Sequence, residues 1–291
     1  MPKRYKDIAG DGGSDIVGQV EAQHARLRAR LAGVRHVVAV VSGKGGVGKS
    51  SLTANLAACF ARAGQRVGVL DADLNGPTMA KMLGVRGRTL AMTADGVAPP
   101  ESALGIRVMS MDLLLPSDEA PLAWQAPTQA ESHTWRGSME ANALREFLAD
   151  TAWGPLDLLL VDLAPGTDRL VTVASLLPAL AGAVVVTIPS DVSHLIVRKS
   201  ITVAAQARVR VLGLVENMAG LFSGSPGEAL AREAGVPFLG AVPFDPAMAV
   251  AADRGEPYVA VAPDAPASRA LAAIAEAVGA AVARVSPPAR A

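Results

Sequence analysis

An α/β fold, three layers with a doubly wound and mainly parallel sheet in the middle, is what this sequence of 291 residues predicts. Apolar runs rich in Val, Leu and Ile alternate with stretches of helical character, the order of parallel βαβ units. The runs are continuously apolar rather than alternating, so both faces of the sheet must be covered. Hydrophobic residues make up 51% of the chain and aromatics 3%, so Ala, Val and Leu must fill a large core.

The elements follow in order. Residues 1–34 are polar and charged and read as an N-terminal extension. Within them Asp15 to Leu31 has helical spacing, with Ile16, Val20, Leu27 and Leu31 near one face. Strands are predicted at HVVAVVS (36–42), RVGVLDAD (66–73), IRVMSM (106–111), LDLLLVDLA (156–164), AGAVVVTIPS (181–190), RVRVLGLVEN (208–217) and VPFLGAV (236–242). The stretch 112–134 is rich in Pro, Ser, Ala and Gln and reads as an irregular excursion before a helix near 139–150. Ala265–Val285 is an Ala-rich helix, and 286–291 is a short tail. There is no internal repeat, and no boundary divides residues 35–285, which read as one domain.

Composition narrows the function. Lys plus Arg and Asp plus Glu both total 27, a balance that argues against nonspecific nucleic-acid binding. The one cysteine, Cys59, supplies neither an intrachain disulfide nor a four-thiolate metal site. It is spaced with Leu52 and Leu56 on the buried face of its helix and reads as a packed small thiol. His24, His36, His133 and His194 are scattered, with no pairing at ligand spacing. The N-terminus lacks a secretory apolar segment, and no run approaches the ~18 apolar residues of a membrane helix. The C-terminal helix offers Arg269, Arg284 and mostly alanine, a poor membrane-docking face. The expectation is a cytoplasmic protein without stable membrane insertion.

The chemistry concentrates in VSGKGGVGKSS at 41–51. Gly43, Gly48, Lys49 and Ser50 satisfy G-x-x-x-x-G-K-S/T between a strand and a helix. Small residues let the backbone N–H groups of Gly43 through Ser51 (Lys44, Gly45, Gly46, Val47 and Gly48 among them) turn toward phosphate oxygens. The helix N-terminus adds its dipole. Lys49 is expected to reach the β- and γ-phosphates of ATP, and the Ser50 hydroxyl to ligate Mg²⁺.

Further acidic and amide groups fall at predicted strand ends. Asp71 and Asp73 end one strand, beside the phosphate loop, where carboxylates lie near Mg²⁺ and the attacking water. Asp162 ends a buried strand and is placed to reach the metal's outer shell. The Ala164-Pro165-Gly166-Thr167 segment after it reads as a switch loop near the γ-phosphate. Asn217, at the end of a later strand, offers both a donor and an acceptor to an adenine edge.

Lys44 completes G-K-G-G-x-G-K-S/T, which resembles the deviant phosphate loop of the ParA/MinD/nitrogenase-iron-protein ATPases. In that class the first lysine crosses a dimer interface to the partner's nucleotide. From about Val37 to Val259 the chain resembles more closely the Mrp/NBP35/ApbC-type P-loop ATPases, known as iron–sulfur cluster carriers, with the MinD-like SIMIBI fold. The segments that carry this are SGKGGVGKSS, DADLNGPTMAKMLGV, LAMTADG, WRGSM with ALREFL, DLAPGT, TIPSDVSHLIVRKS, GLVENM and GVPFLGAVPFDP. The resemblance implies ATP binding and slow hydrolysis with Lys44, Lys49 and Asp73 catalytic, a homodimer, and a role in iron–sulfur protein maturation with a client or assembly partner. It also implies that Asp73 guides the attacking water and that Pro243 lies near the adenine.

The departures from the family are specific. After ENM the family carries Cys-x-x-Cys, whereas this chain reads ENMAGLFSGSPGEAL. Hydroxyls are poor substitutes for thiolate ligands to iron, so the family implies a cluster whose ligands are absent here. The family's switch has Gly–Asp after PPGT, and this chain has Asp168–Arg169 after Pro165-Gly166-Thr167. The segment Ala120–Thr134 looks inserted. The reading is a dimeric ATPase of iron–sulfur assembly without a cluster of its own. The alternatives are a ParA/MinD-type spatial or regulatory switch and a non-hydrolysing nucleotide-binding adaptor.

Overall fold

The computed structural model describes residues 16–114, 129–166, 168–177 and 180–285. Helix α1 (Ile16–Leu31) leads into β1 (Val37–Ser42), α2 (Lys49–Arg62) and β2 (Val67–Ala72). A short α3 (Met79–Met82), a hairpin of β3 (Ala91–Thr93) and β4 (Gly96–Ala98), and β5 (Arg107–Met109) follow. After α4 (Gln129–Asp150) come β6 (Leu158–Leu163), α5 (Arg169–Leu176), β7 (Leu180–Thr187) and α6 (Asp191–Gln206). The chain continues through β8 (Val211–Ala219), α7 (Gly227–Glu233), β9 (Phe238–Pro243), α8 (Ala247–Asp253), α9 (Tyr258–Val261) and α10 (Pro266–Ala283).

Seven strands form one parallel sheet in the order β5-β2-β6-β1-β7-β8-β9. The continuous apolar strands have the cause inferred from sequence. Val38 and Val40 of β1, Leu158 and Leu160 of β6, and Val184 and Val186 of β7 pack on one side with Leu52, Leu56 and Phe60 of α2 and Leu271, Ile274 and Val278 of α10. Their neighbours Ala39, Val41, Leu159, Val161 and Val185 pack on the other with Leu148 of α4, Val173 of α5, Val197 of α6 and Leu230 of α7. Period-two alternation thus sends successive side chains into two separate cores.

Three details differ from the sequence reading. Helix α4 starts at Gln129 rather than near 139, so the irregular excursion is shorter than expected; its residues 115–128 lie outside the described residues. Gln129–Thr134 lacks an apolar stripe, but Gln, Ala and Glu are good helix formers, and propensity carries the helix through. The β3–β4 hairpin went unforeseen because three-residue strands carry too little pattern to register. Helix α10 is long and apolar enough, by length and composition, to cross a membrane, contrary to the reading that no run approaches that length. Its apolar residues Leu271, Ile274, Val278 and Val282 are buried, packed on β9 and α2.

Helix α1 lies against α4, where Arg30 Nε donates to the Ala149 carbonyl at 3.1 Å. Residues 1–15 of the polar extension, Thr167 and the tail 286–291 lie outside the described residues, as do the side chains of His24 and His133.

Candidate functional site

The sheet reverses its winding at β1, whose neighbours are β6 and β7. Ligand crevices of open α/β sheets form at the carboxyl ends of strands at such a point. The predicted phosphate loop leaves β1 there. Gly46 (φ 79°) and Gly48 (φ 77°) adopt left-handed backbone, which favours glycine. Close approach adds a second demand. A Cβ on Gly43 would lie 2.5 Å from Ile196 Cγ2 of α6, and one on Gly48 2.2 Å from Asn217 Nδ2. The loop is braced from both sides. Ser42 Oγ donates to the Lys44 carbonyl at 3.0 Å, and Asn217 Nδ2 donates to the Val47 carbonyl at 2.9 Å. Helix α2 then begins at Lys49 with the free N–H groups of its first turn facing the loop side.

Beneath the loop lies a buried polar cluster. Lys49 Nζ pairs with Asp162 Oδ2 at 2.7 Å, with the two side chains 6% and 0% exposed. Ser50 Oγ donates to the same oxygen at 2.6 Å, and Thr53 Oγ1 to Asp162 Oδ1 at 2.7 Å. Both carboxylate oxygens are therefore satisfied, as a buried charge requires. Thr53 escaped the sequence reading. The signal was present, since it stands four residues after Lys49 and so on the same helix face.

Asp71 sits opposite Asp162 on the adjacent strand. Its Oδ2 accepts from Thr78 N (2.8 Å), Met79 N (2.9 Å) and Ser110 Oγ (3.1 Å), and its Oδ1 from Asp73 N (3.2 Å). The expected metal-proximal carboxylate thus braces the turn that carries Asp73 and the start of α3. Burial, and then the charge of Asp162, push Asp71 up to about 7 against the pull of those backbone N–H groups. Asp73 is half-buried, its Oδ1 accepting from Gly76 N at 3.2 Å, and burial raises it too.

The segment after β6 reaches back to the loop. Gly166 N donates to the Ser42 carbonyl at 3.1 Å, and a Cβ on Gly45 would touch Pro165 Cγ at 3.8 Å. Arg169, just beyond, pairs with Glu140 of α4, and Asn75 Nδ2 donates to Glu140 Oε1 at 2.8 Å. Sequence reasoning missed Asn75 and Glu140. Asn75 lies within DADLNGPTMAKMLGV and Glu140 directly follows WRGSM, but neither segment names the other as a partner, and only the fold brings them together. The half-buried Lys44 forms no ion pair with any described residue. Pro243 ends β9 in register with Ala219 of β8. The structure thus gathers Gly43 to Ser51, Asp71, Asp73, Asp162 and Asn217 at one end of the sheet, with Asn217 holding the loop and Pro243 farther out.

The segment where the resembled family has its cysteines, Ala219–Pro226, closes on the β7–α6 junction. Ser225 Oγ donates to Asp191 Oδ1 at 3.1 Å, and Leu221 and Phe222 are exposed. Cys59 is packed against the α2 side of the core, and burial pushes its thiol up to about 11. Among the described residues no group of three or more His, Cys, Asp or Glu is placed to hold a metal ion.

Strand, glycine-rich loop, helix N-terminus and buried Lys–Asp pair define a P-loop NTPase on a mostly parallel α/β sheet. A family model described as ParA: NUBPL iron-transfer P-loop NTPase matches residues 33–279, and the chain belongs to that family. It is 41% identical over 242 residues to an iron–sulfur cluster carrier protein of Saccharolobus solfataricus, covering 79% of this chain and 78% of the relative. It is 42% identical over 234 residues to the human cytosolic Fe-S cluster assembly factor NUBP2, covering 75% and 82%. A nucleotide-binding protein from Archaeoglobus fulgidus, solved in complex with ADP, superposes with a TM-score of 0.67 at 36% identity, covering 80% and 92%. The cell division ATPase MinD of Pyrococcus furiosus shares the fold, with a TM-score of 0.62 at 22% identity over 84% and 99%.

Proposed function

We propose that residues 35–285 act as one ATPase unit that binds ATP at the Gly43–Ser51 loop, hydrolyses it slowly as a homodimer, and uses nucleotide state to control partner binding in iron–sulfur assembly. The observation that carries the reading is the cluster of Lys49, Ser50, Thr53 and Asp162 beneath a loop whose Gly43 and Gly48 leave no room for a side chain. The ADP complex of the Archaeoglobus relative supports the ligand. The names of the Saccharolobus and human relatives support the assembly role and a cytosolic location.

The donor set fits Mg²⁺. A hydroxyl and carboxylates are hard oxygen ligands, and two facing carboxylates with one ammonium leave negative charge for a divalent cation to offset. Ser50 would hold the ion, with Asp162, Asp71 and Asp73 directly or through water. The ion would supply charge neutralisation across the phosphates. Lys49 would exchange its contact with Asp162 for phosphate oxygens. Lys44 of each protomer would reach its twin's triphosphate and meet the charge that develops in transfer. Asp73 would orient the attacking water. Asn217, holding Val47 through Nδ2, keeps its oxygen for the adenine, with Pro243 alongside.

Any iron–sulfur cluster is cargo held by a partner's ligands. The Ala219–Pro226 segment has no cysteine, and Cys59 is packed in α2. Steady-state phosphate release from purified protein tests the reading: slow turnover that disappears in Asp73→Ala, with ATP still bound, supports it. Tight ATP binding without turnover would make the chain an adaptor instead. A stoichiometric cluster formed on the isolated protein with iron and sulfide would overturn the cargo assignment.

A further inference from the structure

Two loops border the nucleotide site from the same side of the sheet. One follows β2 and carries Asp73; the other follows β6 and carries Pro165 and Gly166. Among the described residues no hydrogen bond or ion pair joins them directly. They meet through the carboxylate of one buried residue of α4. Glu140 is only 5% exposed, and each of its oxygens serves a different loop. Oε1 accepts from Asn75 Nδ2 at 2.8 Å, within the turn in which Gly76 N donates to Asp73 Oδ1. Oε2 pairs with Arg169 Nη1 at the start of α5, three residues past Gly166, whose N–H is bonded to Ser42 of the phosphate loop. All three side chains line one cavity with Ala72 and Ala164, the residues at the carboxyl ends of β2 and β6.

A buried carboxylate needs its charge compensated: removing Glu140 leaves both Asn75 and Arg169 without their shared partner, and removing Arg169 leaves the carboxylate that holds Asn75 without its cation. Movement of either loop is therefore felt by the other through the same two oxygens. Such a shared buried partner is the physical form of coupling between two sites. The Arg169 that replaces the resembled family's acidic switch residue supplies the cation.

We propose that Glu140 is a positioning residue of the ATPase: through Asn75 it sets the turn that aims Asp73, and through Arg169 it ties that turn to the switch segment touching the phosphate loop. Its role is exerted through these two side chains alone. The kinetic part of this inference rests on the ATPase reading above, and the coupling part does not.

Two measurements test it. In nucleotide-free protein, amide hydrogen exchange is followed in Glu140→Gln and Arg169→Ala. Arg169→Ala should speed exchange at Asn75 and Gly76 by about threefold or more, because the effect crosses the shared carboxylate. Acceleration confined to residues 168–173 would overturn the coupling, whether or not the protein hydrolyses ATP. In steady-state kinetics Glu140→Gln should lower kcat by about tenfold with KM for ATP unchanged, since the phosphate loop is intact and only alignment suffers. Arg169→Lys, which keeps the cation, should recover part of the loss seen in Arg169→Ala. An unchanged kcat in Glu140→Gln beside an inactive Asp73→Ala would overturn the positioning role. Activity in Asp73→Ala equal to the parent would instead count against Asp73 as the residue that orients the attacking water.

Discussion

Asp71 and Asp162 face each other in register across the parallel strands β2 and β6, and among the described residues only Lys49 forms an ion pair with either of them. Burial, and then the facing carboxylate of Asp162, hold Asp71 up to about 7 against the backbone N–H groups that pull it down. The proposed Mg²⁺ would offset the charge of these facing carboxylates. Mg²⁺–ADP should raise the melting temperature above that reached with ADP in excess chelator. At 100 times Kd a ligand that binds only the folded state adds about 2.7 kcal/mol. The Mg²⁺-dependent increment should vanish in Asp162→Asn, as read by thermal unfolding with and without EDTA.

Asp162 also holds the fold together. Asp162→Ala leaves the Lys49 ammonium buried without its carboxylate and strips Ser50 of its acceptor, while Thr53 Oγ1 keeps the Lys49 carbonyl at 3.0 Å. Breaking a buried pair on one side costs about 3–5 kcal/mol. Urea unfolding should show a loss of that size, and Lys49→Met in the same background should restore part of it. An unchanged midpoint in Asp162→Ala would show that the cluster contributes no stability.

Gly48→Ala tests the loop by shape alone. The new methyl would lie 2.2 Å from Asn217 Nδ2, and the residue would stand at φ 77°. The backbone cost is about 1–2 kcal/mol before any overlap is counted. Titration with a fluorescent ADP analogue should show affinity lowered by about 100-fold, equivalent to about 2.7 kcal/mol. Adding Asn217→Ala should recover part of it by opening space while the backbone strain stays.

Lys44→Ala separates binding from transfer. The Lys44 carbonyl still accepts from Ser42 whatever the side chain, so the loop keeps its shape. ADP affinity should be unchanged, while kcat falls by about 100-fold if that ammonium meets charge arising only in transfer. Single-turnover hydrolysis and ADP titration on the same preparation distinguish the two effects.

Cys59 provides a test by pH. Burial raises its thiol to about 11, above the ordinary thiol value. A thiol that keeps its proton more tightly in the fold contributes stability below the unfolded value, lost as pH rises toward 11. At pH 8 the native protein should react with iodoacetamide far more slowly than the urea-unfolded chain. Cys59→Ala should flatten the alkaline end of the stability profile.

The sheet was legible because burial on both faces leaves unbroken apolar runs, and all the predicted strands appear within it. The phosphate loop was legible because glycine, lysine and serine at fixed spacing have few other uses. What sequence could not convey is which partner a polar group chooses once folded. Asn217 read as an adenine ligand, and its amide proves to hold Val47. Asp71 read as a metal neighbour, and it gathers Thr78, Met79 and Ser110. Glu140 had no reading, since its partners Asn75 and Arg169 are distant in sequence and the segments that hold them do not point to it. Helix α4 was read short because its first turns carry no apolar stripe.

The seat of the 219–226 segment bears on any attempt to endow this protein with thiolate ligands. A side chain begun at Gly224 would start 2.2 Å from the carbonyl oxygen of Pro189. Grafting a cysteine there would therefore lift the connection from its seat against the β7–α6 junction. A cluster-holding variant would demand a longer or rerouted connection between β8 and α7, not a swap of residues in place.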